Sequence, residues 1–166
     1  MAFVPDAYYS DPSAWRIAME ASAGTISMMT SDEPKVLYEL PRFHGSFYLS
    51  RHGLLAGFTL RLPLPVRPAW LREESEPVLC WESMELWADD ARNRVAGRAL
   101  LRLGRREIVT AVSGLCVEVP VGRSGRPYLK IVLEAVFPSV SLRWPPQARQ
   151  RLRPVMLKLF SEIRPA

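Results

Sequence analysis

The chain has 166 residues, 48% of them hydrophobic, enough for one domain to bury a core without disulfide or metal staples and too many for intrinsic disorder. Its formal charge of +5 is unevenly spread: residues 1–90 carry 7 Lys+Arg against 13 Asp+Glu, a net of −6, and residues 91–166 carry 15 against 4, a net of +11. Such asymmetry suits a basic face for an anionic partner, or head-to-tail self-association.

The opening MAFVPDAYYSDPSAW has neither a basic n-region nor an apolar h-region, so no signal peptide is expected. Ser10-Asp11-Pro12 is a helix-start signal, and Trp15, Ile17, Ala18 and Met19 carry a short helix to about Ala23, where Gly24 ends it. Residues 25–34 read as a linker, so that residues 1–34 form an arm ahead of a single β-rich domain, residues 35–166.

From Phe43 the apolar period becomes two. Phe43, Gly45, Phe47 and Leu49 alternate with polar neighbours, as do Leu54, Ala56, Phe58, Leu60 and Leu62, with Arg51-His52-Gly53 as the hairpin turn between them. Gly53 to Val66 is the longest apolar stretch, but Arg61, Pro63 and Pro65 interrupt it. It is too short for a membrane span, which needs about 20 residues, and a cytoplasmic protein is the expectation. Pro63 to Pro77 is a long proline-rich surface connection, the kind of segment that carries binding loops.

Val78 to Trp87 reads as a strand with Trp81 and Trp87 on one side and Cys80, Met84 and Leu86 on the other; helix is the alternative there. Val95, Gly97, Ala99, Leu101 and Leu103 then alternate with Arg94, Arg98 and Arg102, a half-buried strand with arginines on its wet face. Ile108–Val112 and Leu115–Val121 are strands joined by a bulge at Ser113-Gly114. Leu129 to Phe137 is another strand. Val140, Leu142 and Trp144 extend it until Pro145-Pro146; Gln147 to Pro154 is a basic loop or one helical turn, and Val155 to Ile163 is the last strand. The fold class is mainly β: an antiparallel sandwich or closed barrel with one short N-terminal helix.

Pro77-Val78-Leu79, Val95-Ala96-Gly97, Trp144-Pro145-Pro146 and the run Leu152-Arg153-Pro154-Val155-Met156-Leu157 make the C-terminal half similar to a bacterial domain family of unknown function. That resemblance implies a β-sandwich and carries no activity, cofactor or site residue. Arg105-Arg106 ahead of Ser113 resembles the arginine pair of cyclic-dinucleotide-binding PilZ barrels. The acidic or amide residue and the spaced glycine of their D/N-x-S-x-x-G strand are missing.

No catalytic constellation stands out. His44 and His52 are the only histidines, Ser113 lies in no G-x-S-x-G elbow, and Cys80 and Cys116 belong to no CxxC pair. Buried thiols in a reducing compartment, no metal and no cofactor are expected. The candidate binding residues are Arg94, Arg98, Arg102, Arg105, Arg106, Arg123 and Arg126, with Trp70 as a contact anchor in the proline-rich loop. The leading function is a non-enzymatic binding or self-assembly module acting through protein–protein contacts, with a protein partner or a homo-oligomer. An anion- or nucleic-acid-binding module built on the 94–126 arginines is the alternative, a hydrolase with an unrecognised site the last, and no membrane partner is expected.

Overall fold

The computed structural model describes residues 2–3, 15–50, 53–89, 93–122 and 127–165. Its strands are β1 (Ala2–Phe3), β2 (Trp15–Ile17), β3 (Ala23–Met28), β4 (Lys35–Leu40), β5 (His44–Leu49), β6 (Leu55–Pro63), β7 (Val78–Asp89), β8 (Arg94–Leu103), β9 (Arg106–Val119), β10 (Tyr128–Pro138) and β11 (Pro154–Pro165). Two helical turns, α1 (Ser139–Leu142) and α2 (Pro146–Gln150), join β10 to β11. All belong to one antiparallel sheet in the order β4-β3-β11-β10-β9-β8-β7-β6-β5, curled into a half-barrel. β1 pairs with β7, and β2 continues the margin of β11 beyond β3. β2 also touches β5, the strand at the far margin.

The curl is built on inward rows of side chains that run across the strands. The longest passes through Ala88, Val95, Gly114, Leu133, Leu159, Gly24 and Leu40, one residue from each of seven consecutive strands. A second joins Leu60, Trp81, Leu101 and Ile108. Phe58 packs edge-on against Trp81 with ring centroids 5.0 Å apart. Burying each such aliphatic or aromatic side chain stabilises the fold by about 1.5–3 kcal/mol.

Keeping all rows inward requires a change of phase in β7. Leu79 and Trp81 point inward at odd positions, Leu86 and Ala88 at even ones, and Met84 is the extra residue of a bulge between Ser83 and Glu85. The Ser83 hydroxyl mends the neighbouring ladder, accepting from the Phe58 N–H at 2.8 Å and donating to its carbonyl at 3.2 Å. The bulge therefore places Trp81 inside and Trp87 outside, correcting the expectation that they share a face.

Other expectations need correction. No N-terminal helix forms over the described part of residues 10–23: Trp15–Ile17 is strand, and only the 3₁₀ turn Met19–Ala21 is helical. The edge of β11 supplies partners that a local helix would forgo, including Glu162, whose carbonyl accepts from Ala18 N–H at 2.8 Å. The expected linker contains β3, inserted between β4 and β11, so sheet lies on both sides of residue 34. Ser113-Gly114 is no bulge, because β9 is continuous and its register with β8 unbroken. Val140–Trp144 does not extend β10: the ladder with β11 stops at the Pro138/Pro154 pair, and Ser139 begins a helical turn. Two open readings come out as stated: Val78–Asp89 is strand, and the helical turn α2, Pro146–Gln150, covers the start of Gln147–Pro154.

Gly114 marks where the sheet divides. Arg106–Val112 pairs with β8 alone, Ser113–Leu115 with both β8 and β10, and Cys116–Val119 with β10 alone. A Cβ on Gly114 would overlap the carbonyl oxygen of Val132. Gly114→Ala is expected to lower the unfolding free energy by about 1–3 kcal/mol. Thr110 Oγ1 is buried on the inner face without a hydrogen-bond partner, so Thr110→Val is expected to stabilise, by roughly 1 kcal/mol. Urea unfolding of both variants checks the pair of opposite signs.

Candidate functional site

The sheet order keeps the basic half of the chain together: β8, β9, β10 and β11 are contiguous, with the acidic half on either side. Arg94, Arg98 and Arg102 lie on the outer face of β8, all exposed, as strand alternation predicts. Arg98 is engaged by Glu85, its Nη2 and Nε lying 2.7 and 2.8 Å from Oε1. Arg94 reaches the rim of a small cavity at one end of the sheet. Arg102 lines a groove with Arg61, Ser75 and Glu76 at the other. The arginines of β8 therefore serve separate surfaces. The outer-face side chains between and beside them are mixed. Leu100, Val109 and Ala111 are aliphatic, and Asp89 and Glu107 stand across from Arg94 and Arg102. Trp87, across from Ala96, is the one aromatic among these neighbours, where a single-strand nucleic-acid groove would stack several. Arg123 and Arg126 lie outside the described residues.

Arg105 and Arg106 meet Trp70 at the capped end. The 64–77 connection folds back onto the sheet, burying Leu64, Pro68 and Leu71. Trp70 is half-buried, and its indole N–H donates to the Arg143 carbonyl at 2.8 Å. Its N–H is thus tied into the body while its ring stays partly exposed. The Arg106 guanidinium lies 5.9 Å from the Trp70 ring centroid. Trp144, buried, stacks on Tyr38 with centroids 5.5 Å apart and closes the same end.

Between this loop and the β8–β9 turn is a cavity of about 160 Å³ lined by Trp70, Leu71, Arg72, Ser75, Gly104, Arg105 and Arg106. Gly104 makes the close fit: its φ is +60°, and a Cβ would stand 2.7 Å from Leu71 Cδ1. Sequence reasoning singled out Trp70, Arg105 and Arg106, but not Arg72 or Ser75. The signal available for Arg72 was its place two residues after Trp70 in the same loop.

The opposite cavity, about 130 Å³, has Leu55, Ala88, Val95, Leu129 and Cys116 in its floor and walls, and Arg94 and Glu118 toward its rim. Burial pushes the Cys116 thiol up to about 12. Cys80 sits on the outer face near Arg61, and both cysteines are free thiols. His44 is exposed on β5 opposite Arg61.

No protein-family model and no curated protein matches the chain. Among solved structures it is similar in fold to BcnA of Burkholderia cenocepacia, with a TM-score of 0.65 and 9% sequence identity over 89% of this chain and 99% of that one. No helix among the described residues is long and apolar enough to cross a membrane.

The Cys116 shift has a definite sign. Below pH 9 the thiol is protonated whether the chain is folded or not; between pH 9 and about 12 the unfolded chain releases the proton and the folded one holds it. Stability is therefore expected to fall as pH rises through that window. Cys116→Ser should flatten the slope in urea titrations, and the native thiol should resist alkylation at neutral pH.

Proposed function

We propose that this chain is a non-enzymatic self-assembly module acting through protein–protein contacts, with a second copy of itself as partner and the outer face of β9–β11 as the contact. One observation carries this reading: Leu115, Val132 and Phe160 form an apolar row across three adjacent strands on the solvent side. Leu115 is 43% and Phe160 48% exposed. Val136, 50% exposed, and Met156 form a second apolar pair on the same face, beyond the intervening Glu134–Lys158 pair. Single exposed apolar residues need no explanation, but a contiguous row on a sheet face does.

The charges beside the row suit a copy of the same surface. Glu134 and Lys158 form a pair at 3.2 Å immediately next to it, with Lys158 5.1 Å from the Phe160 ring. A patch that holds both signs around an apolar strip can meet itself across a two-fold axis, each carboxylate facing a cation of the other copy. The contact of β2 with β5 supports reading the sheet as barrel-like, not as two stacked layers; the inner face then belongs to the core and the outer face is left for recognition.

Sedimentation equilibrium is expected to give a dimer mass that rises with concentration. Leu115→Asp with Phe160→Asp should give a folded monomer, because it places carboxylates in the centre of the contact. A wild-type monomer at every concentration and ionic strength would sink the proposal.

A further inference from the structure

We propose that the cavity between the 64–77 loop and the β8–β9 turn is a binding site for a small phosphate monoester. This goes beyond the assembly reading and uses a different end of the molecule. Arg72, Arg105 and Arg106 all line this one cavity, and no carboxylate lines it. Arg72 and Arg105 are exposed and Arg106 is half-buried. The nearest compensation is Glu74, 3.9 Å from Arg72 and itself 73% exposed, a contact too loose and too hydrated to neutralise it. Three arginines lining one small concavity raise the local positive potential, and a bound oxyanion would relieve their mutual repulsion.

The chemistry of the walls narrows the ligand. Guanidinium groups meet phosphate oxygens through paired N–H donors, and three of them match a dianion better than a single carboxylate. The Ser75 hydroxyl adds a neutral donor in the same wall. Trp70 supplies a flat apolar surface beside the charges. Its indole N–H is already given to the Arg143 carbonyl, so the ring offers packing and no further hydrogen bond. That combination favours a phosphate carried on a planar or apolar group over the free ion.

The site is preformed by contacts that exist without ligand. Arg106 donates to the Ser141 carbonyl at 3.5 Å and lies over the Trp70 ring, and Arg67 donates to the Arg72 carbonyl at 2.9 Å. Next to it, sharing Ser75 and Gly104, is the groove lined by Arg102. Its other arginine, Arg61, is held by Glu76 at 2.8 Å. Arg102 thus extends the positive potential toward the sheet face.

Isothermal titration at low salt, with inorganic phosphate and phenyl phosphate as the probes, tests the proposal on the full chain. Phenyl phosphate is expected to bind saturably at one site and more tightly than inorganic phosphate, and added salt should weaken both. Arg72→Ala and Arg105→Ala, at exposed positions, should each keep the circular-dichroism spectrum and weaken phenyl phosphate by about tenfold. Trp70→Phe should reduce the preference for phenyl phosphate while retaining phosphate binding. Absence of saturable binding by either probe overturns the proposal. So does binding that both arginine variants leave unchanged, because it would then arise elsewhere on a basic surface. Equal affinity for the two probes overturns the monoester assignment and leaves an inorganic anion site. None of these outcomes depends on whether the chain dimerises.

Discussion

The parity of inward-facing side chains governs this molecule. A single curled sheet has one face to bury, and each strand must present its apolar residues to that face in register with its neighbours. The row from Ala88 to Leu40 satisfies this across seven strands. In β7 the condition holds only because Met84 is set outside the ladder, so that Trp81 and Leu86, five positions apart, both enter the core. Removing the phase change would turn Leu86 and Ala88 to solvent. The Ser83 hydroxyl, bonded to both backbone groups of Phe58, offsets the lost ladder bonds at that point.

The same constraint decides where recognition can occur. With Phe58, Trp81, Leu101, Leu133 and Leu159 filling the inner face, the outer face and the ends of the sheet remain for contact. The end near β10 and β11 is shaped by nonlocal anchors. Trp144 fits under Tyr38, and Trp70 is fastened to the Arg143 carbonyl. Arg143 itself has a positive φ of 50°, a conformation that turns the chain from α1 toward Trp144. This anchoring holds the 64–77 loop against the Gly104 turn and brings Arg72 beside Arg105 and Arg106.

What was legible in the sequence was what a two-residue period encodes. The arginines of β8 are outside and Val95, Ala99, Leu101 and Leu103 inside, as alternation requires. The bulge left no such mark, since Met84 between Ser83 and Glu85 reads as one more position of an alternating strand, and the assignment of Trp87 failed with it. Residues 15–28 carry helix and linker signals, but their partners are on β11, some 140 positions away, and pairing there outweighs weak local preference. Trp70 was singled out from loop composition, but what holds its indole N–H, a carbonyl 73 positions later, left no local signal. The arginine cavity was half visible: adjacent arginines at a turn are conspicuous, but their juxtaposition with Arg72 exists only in the folded chain.

The charge asymmetry acquires meaning through strand order. Had the chain threaded alternately, its basic and acidic halves would have mixed; instead β8 to β11 are neighbours, with their arginines spread over several surfaces. Two surfaces of the molecule respond to salt differently. The row Leu115–Val132–Phe160 would gain from leaving water, at about 25 cal/mol per Å², and the Glu134–Lys158 pair beside it, which carries both signs, is screened by salt without changing that gain. Contact between copies through that row, as proposed, would therefore depend little on salt. At the Trp70 cavity the attraction is between guanidinium groups and an oxyanion, and screening reduces it. Ionic strength thus separates an apolar contact on the sheet face from a charge-driven one at the Trp70 cavity.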